Sequence, residues 1–340
     1  MFRVGVPSSS SSSDTTTTTP GGGGELRLPP QWNGSAKPAD IDKARSTIRQ
    51  FYRDWSADGA AERGACFDVV LRALAAERDA RAGPGGHHPP LKVLVPGAGL
   101  GRLVYELCMA GHDAEGNEIS YHQLLASSYI LNCCPAAGRH TVHPWIHTFS
   151  NHRSRADHLR GYAVPDVHCA SALSEAQERN QGGTGSMSMS AADFLCLYAK
   201  DEHAGVYDAV ASVFFLDTAP NLIRYLETIY RCLKPGGLLI NVGPLLWHFE
   251  GRVWDRDDHD DHEEGGGGGS GGDTSGIADP GNFELTDEEV MQLVADVGFE
   301  VVSRTTGIDA PYIHDARSML QTTYKASAWV ARKPAAAMMT

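Results

Sequence analysis

Two polar side chains, Asp217 and His248, follow strongly apolar segments of the chain. Asp217 ends the run VYDAVASVFFLD at residues 206–217, and His248 lies in LLWHF, just after a second apolar run at 238–242. Ligands of open α/β sheets bind beyond the carboxyl ends of the parallel strands, so both side chains are expected at one crevice. A carboxylate is costly to bury there without a partner. Capping of the next helix, 221–232, is the alternative role for Asp217.

A glycine turn and an acidic residue form a second group with chemical potential. The sequence VPGAGLG at residues 95–101 separates an apolar strand from a helical pattern, and Glu118 ends the following strand. Gly97 and Gly99 let the backbone approach a ligand, while Glu118 is placed to accept hydrogen bonds from ribose hydroxyls. A dinucleotide fingerprint would place its third glycine at Arg102. The spacing therefore favours S-adenosylmethionine over a dinucleotide, and a packed turn without ligand is the alternative.

Two further pairs have both a binding and a structural interpretation. Asp193 and Phe194 come just after a predicted long loop; in S-adenosylmethionine sites of this architecture an acidic group beyond the third strand can bind the adenine amine, and an aromatic ring beside it can cover the base. The alternative is an N-cap with a core phenylalanine. Gln50 and Arg53 lie three residues apart on a predicted helix at 40–56 and so share a face. By spacing alone, these two are typical of solvated surface.

Hydrophobic periodicity predicts the elements that position these groups. We expect helices at 40–56, 62–77, 102–109, 121–132, 221–232 and 286–297, and strands at 93–95, 114–117, 206–217, 238–242, 299–305 and 324–332, the last one antiparallel. Residues 153–186 are predicted to form a long loop, and 310–323 a loop with a short helix. Tyr312 and Tyr324 could then approach the crevice, although tyrosines also serve as packing. The alternation of strands and helices predicts an α/β, Rossmann-like fold.

Composition limits the classes of partner. The chain has 340 residues, a net charge of −13 and seven scattered cysteines. This charge argues against nucleic acid as a main partner and provides no basic face for a membrane. Free thiols and the lack of a long apolar run favour a cytosolic protein. The segment PWIHTFSN lacks nearby acidic or thiol ligands, and His259 and His262 lie in an acidic, glycine-rich stretch that is typical of a solvated linker, so no metal is expected.

The same patterns predict the domain organisation. Residues 1–38 are expected to be a disordered low-complexity tail, 39–90 an N-terminal helical cap and 91–334 the main domain, with a disordered acidic and glycine-rich insertion at about 251–280 and a tail at 335–340.

Several motifs in a fixed order resemble the carnosine N-methyltransferase family. They are STIRQFYRDWS with ERGAC, VLVPGAGLGRL, GNEIS, PWIHTFSN, SMSAADF, FFLDTAPN, LKPGGLLINVGPLLWHF and the terminal VARKP. The resemblance implies a seven-stranded S-adenosylmethionine-dependent methyltransferase fold with an N-terminal helical extension. It also implies methylation of an imidazole nitrogen of carnosine, which gives anserine and S-adenosylhomocysteine. The chain departs from the family in its N-terminal tail, its acidic insertion and the sequence TTY near Tyr324.

The resemblance also implies roles for individual residues. It assigns cofactor contacts to Gln50, Arg53, Gly99, Arg102, Glu118, Asp193 and Phe194, with Gly97 in the same turn, and substrate contacts to Asp217, His248, Tyr312 and Tyr324. Asp217 and His248 are the predicted catalytic pair. If Asp217 accepts a hydrogen bond from one ring N–H, the lone pair is fixed on the other ring nitrogen.

Two other functions are compatible with the sequence. The first is methylation of histidine in a protein, and the second is a non-catalytic S-adenosylmethionine-binding interaction protein. A homodimer and a nuclear pool beside the cytosolic one are further expectations, the latter from the resemblance.

Overall fold

The fold is built on a single large β-sheet. The structure, a computed structural model, describes residues 2–3, 35–82, 88–178, 183–250 and 283–335. The strands are β1 (Phe2–Arg3), β2 (Lys92–Pro96), β3 (Asp113–Glu118), β4 (His140–Val142), β5 (Tyr162–Val164), β6 (Met187–Ala191), β7 (Tyr207–Val213), β8 (Leu233–Gly243), β9 (Glu300–Pro311) and β10 (Thr323–Arg332). The order in the large sheet is β1-β6-β3-β2-β7-β8-β10-β9, and β4 pairs with β5 separately.

The interior strands of this sheet are parallel. β6, β3, β2, β7 and β8 pair in parallel, whereas β10 runs antiparallel between β8 and β9. The predicted antiparallel last strand is therefore confirmed. Seven strands carry the fold, and the two-residue β1 adds to the edge at β6. Because the parallel strands share one direction, their carboxyl ends meet along one edge, and the site lies there.

Helices cover both faces of the sheet. They are α1 (Pro38–Trp55), α2 (Ala60–Ala80), α3 (Arg102–Met109), α4 (Tyr121–Ser128), α5 (Arg155–His158), α6 (Cys169–Glu178), α7 (Phe194–Tyr198), α8 (Leu222–Cys232) and α9 (Asp287–Asp296). A π-helical turn, Tyr129–Cys133, continues α4. The helix α9 begins at a capping box in which Thr286 and Glu289 each bond the other's backbone, as its sequence predicts.

Three predicted segments differ from the structure. Residues 153–186 are not a structureless loop, because short helices and a strand, α5, β5 and α6, lie within them. The segment between β9 and β10 contains turns but no short helix. The strand predicted to reach Asp217 ends at Val213, since Phe214 adopts a left-handed φ of 52° that an extended ladder cannot continue. Asp217 consequently lies in the 3₁₀ turn Leu216–Thr218.

Some predictions fall on parts of the chain outside the described residues. These are the tail at 1–38, apart from β1 and residues 35–38, the insertion at about 251–280 with His259 and His262, and the C-terminal tail beyond residue 335.

The N-terminal helices α1 and α2 are attached to the sheet domain by a buried tryptophan. Trp55, at the end of α1, is fully buried, and its Nε1 donates to the Leu100 carbonyl at 3.0 Å. The Arg102 guanidinium lies 4.9 Å from the centre of the indole ring. A fixed α1 places the residues of its inner face against the carboxyl ends of the strands.

A charged cluster around Asp166 reinforces this attachment. One carboxylate oxygen of Asp166 pairs with Arg102 at 2.5 Å and the other with Arg63 of α2 at 2.7 Å. Arg63 also donates to the carbonyl of Ser56, and the Asp166 N–H donates to the carbonyl of Trp55. Both arginines are largely buried, so Arg63 depends on this carboxylate for its charge compensation, whereas Arg102 is compensated by Asp166 and Glu106 together.

Replacing Asp166 by asparagine is expected to lower the free energy of unfolding by about 2–4 kcal/mol, because the buried Arg63 guanidinium loses its carboxylate partner and Arg102 keeps only Glu106. Chemical denaturation measures this difference. The control is Glu227→Gln, which breaks the half-exposed pair with Arg224 and should cost less than about 1 kcal/mol. Equal losses in the two variants would show that the Asp166 cluster does not stabilise the attachment.

Candidate active site

A cavity of about 400 Å³ lies between the N-terminal helices and the carboxyl ends of β2, β3 and β7. Its volume falls in the range of small-molecule sites. Of the residues predicted for the site, ten line it: Gln50, Arg53, Gly97, Gly99, Arg102, Glu118, Asp193, Phe194, His248 and Tyr312. Residues separated by more than 260 positions in the sequence therefore share one cavity. Asp217 and Tyr324 are the two predicted site residues that do not belong to its wall.

The glycine turn between β2 and α3 has the backbone that a close ligand approach requires. Gly97 has φ of 63° and Gly99 has φ of 56°. A Cβ on Gly97 would lie 2.7 Å from Cδ2 of Phe215, whereas a Cβ on Gly99 would meet only Gln123 Oε1, at 4.0 Å. Gly97 is thus required for packing within the protein, and Gly99 leaves room on the side of the cavity. The turn fits a nucleoside cofactor.

Glu118 lies at the tip of β3, where the sequence predicts it. Its Oε2 accepts from the Gly99 N–H at 2.9 Å, and its Oε1 accepts from the N–H groups of Ile119 and Ser120 at 2.9 and 2.8 Å. Burial raises the pKa of the carboxyl group, while these three donors oppose the rise by stabilising the charged form. The carboxylate is held in one orientation, with further acceptor capacity toward the cavity.

The helix α1 contributes Gln50 and Arg53 to the opposite wall. Gln50 Oε1 is buried and has no hydrogen-bond partner, so this acceptor is available to a ligand in the cavity. Arg53 pairs with Asp54 through Nε at 2.6 Å and Nη2 at 3.0 Å. Burial acts to lower the pKa of Arg53, but the Asp54 carboxylate outweighs it and the pKa is raised, so the guanidinium stays charged. Spacing alone favoured solvated surface for both residues, and the structure instead places them in the cavity wall.

Arg102 lines the cavity, but its guanidinium is bound to other protein groups. Its guanidinium is held by Asp166, by Glu106 at 2.8 Å and by the Asp54 carbonyl at 3.2 Å. Through these contacts the guanidinium helps to hold α1 against the sheet domain. Its predicted cofactor contact stays a prediction.

Asp193 and Phe194 fulfil both interpretations that the sequence leaves open. The Asp193 carboxylate accepts from the Cys196 N–H at 2.9 Å and so caps α7, while the residue also lines the cavity. Phe194 is buried against Phe215 and Tyr225, with ring centroids 5.5 and 5.1 Å away, and forms part of the wall as well. Asp193 therefore both caps a helix and lines the cavity, and Phe194 both packs in the core and lines the cavity.

Asp217 and His248 are joined at the end of the cavity beyond β7. The Asp217 carboxylate is 4% exposed, and its Oδ2 accepts from the Leu246 N–H at 3.0 Å. The backbone N–H of His248 donates to the backbone carbonyl of Asp217 at 3.2 Å. The backbone N–H of Asp217 itself also donates to the carboxylate, which has acceptor capacity left beyond this donor and the Leu246 N–H. Burial raises the pKa of Asp217, opposed by the Leu246 N–H and by the charge of His248. Within the described chain, Asp217 therefore retains acceptor capacity next to a cavity-lining histidine.

Of the two predicted tyrosines, Tyr312 lines the cavity and Tyr324 lies behind it. Tyr312 lines the cavity and stacks on Phe214, with ring centroids 5.4 Å apart. Tyr324 packs behind both rings, 5.9 Å from Phe214 and 5.7 Å from Tyr312. The three rings form one aromatic cluster, in which Tyr312 and Phe214 face the cavity and Tyr324 packs against both.

Sequence reasoning does not single out several residues of the wall, among them Phe214, Gln123 and Glu62. Phe214 was counted within a strand, Gln123 within a helix, and Glu62 as the first residue of a helix, although all three line the cavity. Glu62 has the clearest signal of the three, because it opens the motif ERGAC. Its partners lie about 250 residues further along the chain, and no local pattern reveals them.

Two negative findings apply to the described residues only. They contain no group of three or more histidine, cysteine, aspartate or glutamate side chains arranged to hold a metal ion. Within the same ranges, the search for a helix long and apolar enough to cross a membrane found none.

The strand order and the site together define the class of protein. A sheet of mainly parallel strands with β10 inserted antiparallel between β8 and β9, a glycine turn after its first parallel strand and an acidic residue at the end of the next is the arrangement of an S-adenosylmethionine-dependent methyltransferase. A family model described as "Carnosine N-methyltransferase" matches residues 30–335. The chain belongs to the carnosine N-methyltransferase family, as the sequence resemblance implied.

Named relatives agree with this assignment. The chain is 36% identical over 307 residues to "Carnosine N-methyltransferase" of Rattus norvegicus, 35% over 292 residues to that of Schizosaccharomyces pombe, and 34% over 301 residues to "Carnosine N-methyltransferase unmet" of Drosophila melanogaster. The matches cover 89%, 86% and 88% of this chain. They cover 66%, 71% and 57% of the relatives, so this chain spans only part of their length.

Solved structures with a similar chain path include a magnesium protoporphyrin IX methyltransferase from Synechocystis, with 14% identity and a TM-score of 0.39 over 88% of this chain and 89% of that one. A methyltransferase from Methanosarcina mazei has 16% identity and a TM-score of 0.39, over 72% of this chain and 93% of that one.

Proposed function

We propose that this chain transfers the methyl group of S-adenosylmethionine to an imidazole nitrogen of carnosine and releases anserine and S-adenosylhomocysteine. The observation that carries the proposal is a single cavity with two chemically distinct ends. Glu118 and the glycine turn border one end, and His248, with the buried Asp217 behind it, borders the other. A nucleoside and a small imidazole can therefore meet within it.

The cofactor end supplies orientation. The bound cofactor presents an electrophilic methyl group on a sulfonium. The Glu118 carboxylate is held by three backbone N–H groups and can accept from both ribose hydroxyls. Gln50 offers an unpaired buried acceptor, and Phe194 with Asp193 borders the space suited to the adenine. These contacts would fix where the methyl group points.

In this mechanism Asp217 determines which ring nitrogen acts as the nucleophile. A histidine side chain has a pKa of about 6.5, so much of the substrate imidazole is neutral at pH 7 and no strong base is required. In this proposal Asp217, which lies just behind the wall beside His248, is reached by the bound imidazole, and its carboxylate accepts from one ring N–H, which leaves the lone pair on the other nitrogen. The in-line displacement places positive charge on the ring, and the buried carboxylate stabilises that charge.

His248 and the aromatic cluster of Tyr312 and Phe214 orient the ring. His248 lies beside Asp217 because its backbone N–H donates to the backbone carbonyl of Asp217. Tyr312, stacked on Phe214, provides a flat apolar face at the same end. A planar imidazole packed against this face would have few alternative orientations.

The experiment that tests the proposal measures transfer of labelled methyl groups from S-adenosylmethionine to carnosine, with free histidine and a cell lysate as parallel acceptors. We expect label in carnosine at a rate well above that in free histidine. Label only in lysate protein would shift the substrate to protein histidine. Cofactor binding without any transfer would contradict catalysis and favour an interaction protein.

Three expectations from the sequence stay proposals of ours: a cytosolic location with a nuclear pool, a homodimer, and the lack of a nucleic-acid or membrane partner. The first is checked by imaging the tagged protein, and the second by light scattering.

A further inference from the structure

A strained residue lies directly beside the substrate end of the cavity. Ile313, the second residue after β9, has φ of 47°. The left-handed region is costly for a β-branched side chain, so surrounding contacts must hold it there. Its side chain packs against a separate aromatic cluster of Tyr52, Trp145 and Tyr162. Strain of this kind at the border of a site points to a positional role.

The contacts that hold Ile313 come from the N-terminal helices. Glu62 of α2 accepts from the Ile313 N–H through Oε1 at 2.6 Å and from the His314 N–H through Oε2 at 2.8 Å. The Tyr52 hydroxyl of α1 donates to the His314 carbonyl at 3.2 Å. Glu62 is 7% exposed, so both of its oxygens are committed in a setting where water competes little. The carboxylate thus binds two successive backbone N–H groups. We call this contact the clamp, because it holds the backbone in a conformation in which both N–H groups point toward Glu62.

The clamp lies next to a side chain of the cavity wall. Tyr312 is the residue immediately before Ile313, and its ring stacks on Phe214 in the cavity wall. Phe214 itself precedes the turn that carries Asp217 by two residues. A change of φ at Ile313 would rotate the chain at its junction with Tyr312 and move this ring.

We propose that Glu62 is a positioning residue for the imidazole substrate: through the N–H groups of Ile313 and His314 it holds Tyr312 against Phe214 and so sets the aromatic face of the substrate site. The inference rests on the proposed function for the identity of the substrate. The clamp itself does not depend on it. In this arrangement, the N-terminal helices contribute to substrate selection as well as to cofactor binding.

Kinetics of Glu62→Gln test the proposal. The amide retains one acceptor oxygen, but its NH₂ group faces the second N–H, so one of the two clamp bonds is lost. We expect the KM for carnosine to rise about tenfold, the change expected for a lost hydrogen bond to a charged group, while kcat changes less and the Kd of S-adenosylmethionine stays within about twofold.

The matched control is Glu77→Gln on the same helix. Glu77 is also 7% exposed and also binds two partners, Arg81 and Arg332, far from the cavity. It should lose stability without a change in KM. Both variants are assayed at a temperature at which circular dichroism shows them folded. Equal KM changes in the two variants would overturn the proposal.

A double-mutant cycle with Ile313→Gly separates positioning from general loosening. Glycine adopts a φ near 47° without strain, so the clamp matters less in its presence. The KM increase caused by Glu62→Gln should therefore be several-fold smaller in the Ile313→Gly background than in the wild type. Independent effects on KM would contradict the clamp.

Hydrogen exchange gives a result that requires no turnover. In Glu62→Gln the amides of Ile313 and His314 should exchange at least about tenfold faster than in the wild type, whereas Glu77→Gln should leave them unchanged. Unchanged exchange in Glu62→Gln would refute the clamp. Faster exchange with an unchanged KM would refute the positioning role, and faster exchange in an enzyme that does not methylate carnosine would place the failure in the proposed function.

Discussion

Replacing Asp217 by asparagine is expected to lower kcat for carnosine at least about a hundredfold, with the Kd of S-adenosylmethionine nearly unchanged. The asparagine keeps the size of the side chain but removes the charge that stabilises the methylated ring. It also presents an NH₂ group where the ring N–H requires an acceptor, so the imidazole loses its selected tautomer. Steady-state rates and calorimetric titration of the cofactor measure the two quantities separately.

The matched control for this variant is Asp208→Asn. Asp208 is a buried aspartate on β7, but it lies at the amino end of that strand, where it pairs with Arg81 at 2.8 Å and Lys234 at 2.9 Å. Its loss should reduce stability and leave kcat within about threefold. Near-normal turnover in Asp217→Asn, or an equal loss in Asp208→Asn, would remove Asp217 from the proposed role.

The sheet and the cofactor end could be predicted from the sequence because their signals are local. An apolar strand, a glycine turn, a helix and an acidic residue at the end of the next strand lie within about thirty residues, at spacings that the βαβ unit itself imposes. Glu118 is therefore found at the tip of β3, bonded to the Gly99 N–H. The Thr286 capping box is local in the same way.

The substrate end could be predicted only in part, because long-range contacts form it. The apolar run that ends at Asp217 has the pattern of a continuous strand, yet the backbone turns at Phe214 and places the carboxylate in a 3₁₀ turn beside the cavity wall. The clamp between Glu62 and Ile313 joins residues 251 positions apart. Gln50 and Arg53 look like surface until α1 is seen against the strands.

These cases share a physical cause. Periodicity reports which face of an element is buried, but it does not report what that face meets. Arg102 illustrates the point: its spacing excludes a dinucleotide fingerprint, and only the fold reveals Asp166, 64 residues later, as its partner. The family motifs predict which residues belong to the site, whereas the contacts that hold those residues are visible only in the folded structure.

The second large effect concerns Glu118. We expect Glu118→Gln to raise the Kd of S-adenosylmethionine between about tenfold and a hundredfold, since hydrogen bonds to a charged acceptor contribute about 1.5–3 kcal/mol. The amide can neither accept as strongly from the ribose hydroxyls nor satisfy all three of the N–H groups that hold the carboxylate. Calorimetric titration of the cofactor measures this change, and saturating cofactor should restore most of kcat because the substrate end is untouched.

Glu115→Gln is the control that isolates ribose binding from damage to β3. Glu115 lies three residues earlier on the same strand and is equally buried, but it accepts from the hydroxyls of Tyr198 and Tyr207, away from the cavity. Its replacement should lower the melting temperature and leave the Kd within about twofold. If both variants weaken cofactor binding alike, the strand as a whole supports the site and Glu118 has no separate contact. If only Glu118→Gln does so, the carboxylate at the end of β3 is the ribose acceptor.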